Sequence, residues 1–148
     1  MPKINDTVAT GLQQALVDLI SLELQGKQAH WNIKGDRFRA LHLALDEVVD
    51  VARRHSDEVA ERIATLGGTP DGREETIAKT STLEAMDAGV LSVDKTYGLM
   101  ADKIQQVCDK AREYLEGVDE ADPISGDLLI GMIGELEQQA WFLRAATE

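Results

Sequence analysis

Apolar residues recur every three or four positions at Val8, Leu12, Ala15, Leu19 and Leu22, the interval that lays side chains along one face of an α-helix. With Asp6 or Thr7 able to cap its start and Gly35 to stop it, this pattern predicts a helix over about residues 7–34. Asp36 can cap a second helix, which then runs free of Gly and Pro as far as Leu66-Gly67-Gly68-Thr69-Pro70. A rod of about 30 residues is about 45 Å long, a length that belongs to helix bundles rather than to ordinary globular helices. A third helix carries Tyr97, Met100, Ile104, Val107, Ala111 and Leu115 and is expected to end before Gly117. A fourth begins at Asp122-Pro123, the Asp as cap and the Pro in the first helical position, and carries Leu129, Met132, Leu136 and Leu143. The looser stretch 67–88 has room for a short helix near Thr76–Thr82. No strand-period alternation, internal repeat or linker interrupts this plan, so residues 1–148 read as one all-α four-helix domain.

Composition narrows the clients of such a bundle. A formal net charge of −12 argues against a surface that wraps nucleic acid, which needs clustered Lys and Arg, and favours cations as partners. The lone Cys108 excludes an internal disulfide framework and fits a reducing compartment; it and the Met residues read as apolar packing. No apolar run is long enough to span a bilayer, and the opening residues lack a signal peptide's apolar stretch, so a cytoplasmic location is expected.

Chemistry concentrates around two of the three histidines. His30 and His42 bracket His30-Trp31-Asn32-Ile33-Lys34-Gly35, and Asp46, Asp57 and Glu61 follow. Neutral imidazole and carboxylate together suit Fe(II) better than a thiolate-based zinc site. The Glu-x-x-His pairs of ordinary di-iron bundles are absent, because Lys27, Arg39 and Ala52 stand three residues before the histidines. On the second helix, with His42 at 0°, Asp46 falls at about 40°, Asp57 at about 60° and Glu61 at about 100°, a single narrow face. His55 falls at about 220°, away from that face, and is expected at the surface. His42 and Glu61 are nevertheless about 28 Å apart along the rod, too far to share one ion. Positions 42 and 61, like 46 and 57, are symmetric about the point between residues 51 and 52. Two antiparallel copies crossing there would bring His42 and Asp46 of one against Glu61 and Asp57 of the other, giving two equal intersubunit sites, with His30 completing each. Arg53, at about 20° on the same face, is expected to pair with these acids across the axis.

The run from His30 to Gly35, with Phe38, Leu41-His42, Asp46, Asp57-Glu58-Val59-Ala60-Glu61-Arg62 and Leu66-Gly67-Gly68, resembles the signature of the Dps mini-ferritins. Asp127-Leu128-Leu129 and Trp141-Phe142-Leu143-Arg144-Ala145 resemble that family's last helix. The resemblance implies a ferritin-like four-helix bundle with a short helix between the second and third, twelve copies forming a hollow, dodecameric shell. It also implies ferroxidase activity, in which Fe(II) is oxidised, preferably with hydrogen peroxide, and ferric mineral is stored inside. The implied ligands are His30, His42 and Asp46 of one subunit with Asp57 and Glu61 of its neighbour. Trp31, beside His30, is a candidate electron donor when an oxidising equivalent finds no iron. Asp122 and Asp127 stand where the family lines its iron-entry pores, although a cap role for Asp122 and a helix-dipole role for Asp127 compete. The basic tail that serves DNA binding in the family is missing, so DNA compaction is not expected. Two other readings stay open here: a metal-assisted hydrolase of amide or acyl substrates, and a purely structural shell whose acids form a solvated helix face.

Overall fold

The structure, a computed structural model, describes residues 3–148. Four long helices, α1 (Asp6–Asn32), α2 (Phe38–Thr65), α4 (Val93–Ala121) and α5 (Pro123–Ala145), form the molecule, and a short α3 (Glu74–Thr80) in the connection between α2 and α4 lies against α1. The four-helix plan with a short intervening helix matches the sequence pattern; the ends differ by a few residues. Asn5, rather than Asp6 or Thr7, caps α1, its Oδ1 accepting from the backbone N–H of Thr7 (2.9 Å) and Val8 (3.2 Å). The second helix starts after Arg37, not Asp36. Arg37 takes a left-handed conformation (φ 62°), and the Asp36 carboxylate accepts only from the Arg37 N–H. The short helix begins two residues earlier than expected. α4 continues through Gly117, where closeness to Thr7 favours a residue without Cβ: one built there would lie 3.1 Å from the Thr7 methyl. That gain offsets the roughly 1 kcal/mol that glycine costs inside a helix. α5 opens on Pro123 as its sequence predicts.

A two-residue parallel bridge, absent from the sequence expectation, pairs Ile33 with Leu91 and Lys34 with Ser92. We label its strands β1 (Ile33–Lys34) and β2 (Leu91–Ser92). Two residues are too short to show an alternating pattern, yet the bridge ties the end of α1 to the start of α4.

α1 lies along α2 and α4 along α5, and contacts of α1 with α4 and of α2 with α5 close the bundle. The core is a continuous column that includes Leu12, Leu19, Leu22, Leu41, Leu45, Val48, Met100, Ile104, Leu129, Met132 and Leu136. Cys108 sits in it fully buried, and burial pushes its thiol up to about 12, which removes thiolate chemistry near neutral pH. α1 and α2 approach closely at Gly26, where a Cβ would come within 2.8 Å of the Val49 Cγ2 methyl. The connection after α3 is held by buried Asp18 of α1. Its carboxylate accepts from the Thr82 N–H (2.6 Å), the Thr82 hydroxyl (2.8 Å) and the Ser81 hydroxyl (3.0 Å). A buried carboxylate so satisfied replaces its lost hydration and fixes the chain's path. Among the described residues no helix is long and apolar enough to cross a membrane.

Candidate metal centre

α1 delivers His30 from its last turn, and α2 delivers His42 from its second. The two imidazoles stack, ring centroids 3.6 Å apart and planes 13° apart. Each is held by the other's backbone: His30 Nδ1 donates to the His42 carbonyl (2.7 Å), and His42 Nδ1 donates to the His30 carbonyl (2.8 Å). A carbonyl only accepts, so Nδ1 carries the proton in both neutral rings and each Nε2 lone pair is left for a metal. His30 is buried and His42 partly so. Two nearly parallel rings cannot both aim in-plane lone pairs at one ion about 2 Å away, so the pair is not arranged to share a single ion.

Asp46 stands beside this pair, its Oδ1 3.6 Å from His30 Nδ1 and 2.5 Å from the ammonium of Lys27. The Lys27 hydrogen bond holds the Asp46 carboxyl below the ordinary aspartate range, despite an opposing desolvation effect. The sequence reading noted Lys27 only as standing where a di-iron bundle has Glu; its pairing with Asp46 was missed, although a residue three before His30 shares its face of α1.

The remaining carboxylates lie elsewhere. Asp57 and Glu61 are exposed further along α2, and among the described residues neither carboxylate accepts a hydrogen bond or ion pair from a side chain; the Thr65 hydroxyl donates only to the Glu61 backbone carbonyl (2.7 Å). The cations nearest them are engaged. Arg53 pairs with Glu23 of α1 (2.6 Å), and Arg62 pairs with Asp122 (2.8 Å). The expected pairing of Arg53 was with these acids across the axis, in a second copy; within the single chain its guanidinium is held by Glu23. Among the described residues no three His, Cys, Asp or Glu side chains converge on a common point within one chain.

The other candidate residues fall as follows. Trp31 is 69% exposed next to His30, with its indole outside the core. Asp122 occupies the cap position of α5 without a capping bond; Ser125 and Arg62 take its carboxylate and hold it below the ordinary range. Asp127 is exposed on α5. His55 departs from expectation, because it is buried at the contact of α2 with α5 rather than at the surface. Its Nδ1 lies 3.6 Å from Glu58, and its Nε2 faces Glu135 at 3.3 Å without a hydrogen bond's alignment. The spacing held the signal: His55 continues the core seam Leu41, Leu45, Val48, Ala52, Val59.

A ferritin-like domain model matches residues 9–148. The chain is 37% identical to the DNA protection during starvation protein of Mycolicibacterium smegmatis, over 95% of this chain and 77% of that one. It is 33% identical to the protein of the same name from Agrobacterium fabrum, over 94% and 86%. The crystal structure of Dps92 from Deinococcus radiodurans superposes with a TM-score of 0.91 at 30% identity, covering 94% of this chain and 84% of that one. With a matched domain over nearly its whole length and relatives at this identity, the chain belongs to the ferritin-like family and, within it, to the Dps proteins.

Proposed function

We propose that this protein is an iron-storing mini-ferritin that oxidises Fe(II), preferably with hydrogen peroxide, at sites shared between two subunits, and holds ferric mineral within a dodecameric shell. The stacked His30–His42 pair carries the reading. In both rings the Nδ1 bond fixes the tautomer and leaves the Nε2 lone pair available, and a pair of histidines alone is half of a coordination sphere. Asp57 and Glu61 supply the other half from a second copy whose α2 runs antiparallel across the point between Val51 and Ala52. Their freedom from side-chain partners in the single chain fits ligands that wait for a metal.

Iron is the substrate. His30 Nε2 binds one ion and His42 Nε2 a second, while Asp57 and Glu61 neutralise both and Asp46 assists beside Lys27. One electron from each of two Fe(II) ions then reduces one peroxide, so no single-electron fragment of peroxide is released. Carboxylates lower the positive charge on the ions and favour the ferric product. Asp127 contributes acid at an entry pore, and Asp122 does so only where Arg62 leaves it a free oxygen.

Two measurements test this reading together: particle mass by light scattering, and the stopped-flow rate of Fe(II) oxidation by peroxide. The expected result is a twelve-subunit particle whose rate collapses in His30→Ala/His42→Ala. A monomer with the wild-type rate overturns the shared site. The relatives' name records DNA protection, but a chain of net charge −12 provides little for phosphate. No retardation of plasmid DNA is expected at physiological salt, and a clear shift would overturn that. No observation favours hydrolysis: the groove beside Asp57, between α1, α2 and Pro70, is open and builds no enclosed pocket for an amide or acyl substrate. The protein is expected in the cytoplasm.

A further inference from the structure

We propose that Phe38 is a positioning residue for His42, fixing the plane in which its Nε2 meets a metal. The proposal rests on the iron reading of the site. Phe38 is the first residue of α2 and lies one turn before His42; the two rings stack with centroids 4.9 Å apart and planes at 27°. His30 stacks on His42 at 3.6 Å, so the His42 imidazole is in stacking contact with two rings. The need for such a support follows from the side chain's own mechanics. The outer torsion of histidine is broad, and the single Nδ1 bond to the His30 carbonyl pins one atom while leaving the ring free to rock about it. His30 is buried and needs no further wall. His42 is only partly buried, and Phe38 supplies the wall the core does not.

The start of α2 is built to permit this. Arg37 turns the chain in the left-handed region at φ 62°, and the helix begins at the next residue, which puts Phe38 four positions ahead of His42 on the same face. The Arg37 guanidinium anchors the turn, donating to the Ala146 carbonyl (2.8 Å) and to Asp94 (2.9 Å) while lying over the Tyr97 ring. Phe38 itself is 40% exposed in the single chain, so its ring lies outside the bundle core, beside His42. A flat ring is what the role requires; apolar volume alone does not suffice.

Cobalt(II) titration of the assembled protein, followed by its visible absorption, tests this with Phe38→Leu and Phe38→Tyr. Leu keeps apolar bulk but loses flatness, whereas Tyr keeps both. In Phe38→Leu one Co(II) equivalent per site should bind about tenfold more weakly with an altered visible band, the other staying unchanged, because a support behind one ligand acts on one ion. Phe38→Tyr should restore wild-type binding, and the crystal structure of metal-free Phe38→Leu should show the His42 ring out of its stack. Wild-type binding by the Leu variant, or equal loss in both variants, overturns the proposal. Should the wild type bind no Co(II) through His30 and His42, the iron reading fails by itself. The metal-free crystal structure then decides for Phe38, an unmoved His42 refuting its role.

Discussion

The two halves of the proposed site are built on opposite terms. The histidine half is finished within one chain: stacked rings, reciprocal Nδ1 bonds and a neighbouring Asp46–Lys27 pair. The carboxylate half, Asp57 and Glu61, is a pair of exposed side chains. Their physical needs differ. An imidazole is useful only in the right tautomer and plane, both of which the fold must set in advance. A carboxylate has equivalent oxygens and needs no tautomer, so water can keep it until a cation arrives. An exposed charge also costs the monomer no desolvation.

The largest effect that can break this comparison comes from Asp57→Ala/Glu61→Ala. Peroxide-driven Fe(II) oxidation should fall by at least about 100-fold, while the folding free energy moves by less than about 0.5 kcal/mol, as for other exposed positions. Calorimetry showing a large loss of stability would mean that the acids are structural. His30→Ala should lower both quantities. Chemical denaturation should show a loss of about 1–3 kcal/mol, because a buried partner of the His42 carbonyl disappears, and the oxidation rate should fall with it. A stable but inactive His30→Ala would show that the ring is a ligand without a structural share.

Arg62 sharpens the contrast from the other side. It is the residue after Glu61, yet it serves Asp122, which lies between α4 and α5. Arg62→Leu should spare the histidine–carboxylate site, acting on iron only through the Asp122 carboxylate it frees, and cost about 1–2 kcal/mol of stability near neutral pH. The Asp122 carboxyl is held below its unfolded value, so its contribution is complete above that value, about pH 4, and is lost as the pH falls through the folded one. The stability gap between Arg62→Leu and wild type should therefore close in acid; a gap that persists unchanged to pH 2 refutes the ion-pair account. The smallest effect is expected for Trp31→Phe. Its rate under excess iron should stay within about twofold of wild type, and spin-trapped radical should rise only when peroxide exceeds iron.

Most of this architecture was legible in the chain. Apolar spacing predicted the four helices, Asp122-Pro123 predicted the start of α5, and the looser stretch predicted a short helix two residues from where α3 lies. What escaped depends on contacts between distant segments. The β1–β2 bridge is too short to leave a period, and the run of α4 through Gly117 depends on Thr7, more than a hundred residues away. His55 was misread for a different reason: a helical wheel centred on His42 says what faces the site and nothing about which other face is buried. Arg53 and Lys27 teach the same point about charge. Face angles placed Arg53 beside the acids that a second copy would bring, and did not show that Glu23 across the groove on α1 engages it within the chain. Lys27 reaches Asp46 from that same helix.

The contact of Gly26 with Val49 works like a gauge block. It lies one turn before His30 on α1 and two turns after His42 on α2, and it determines how near the two helix axes come. The 3.6 Å between two imidazoles is thus a tolerance inherited from a hydrogen atom where other residues carry a carbon. A methyl added there, as in Gly26→Ala, at a contact that holds no proposed ligand, would be felt first as a wider gap between the two imidazoles a turn or two away.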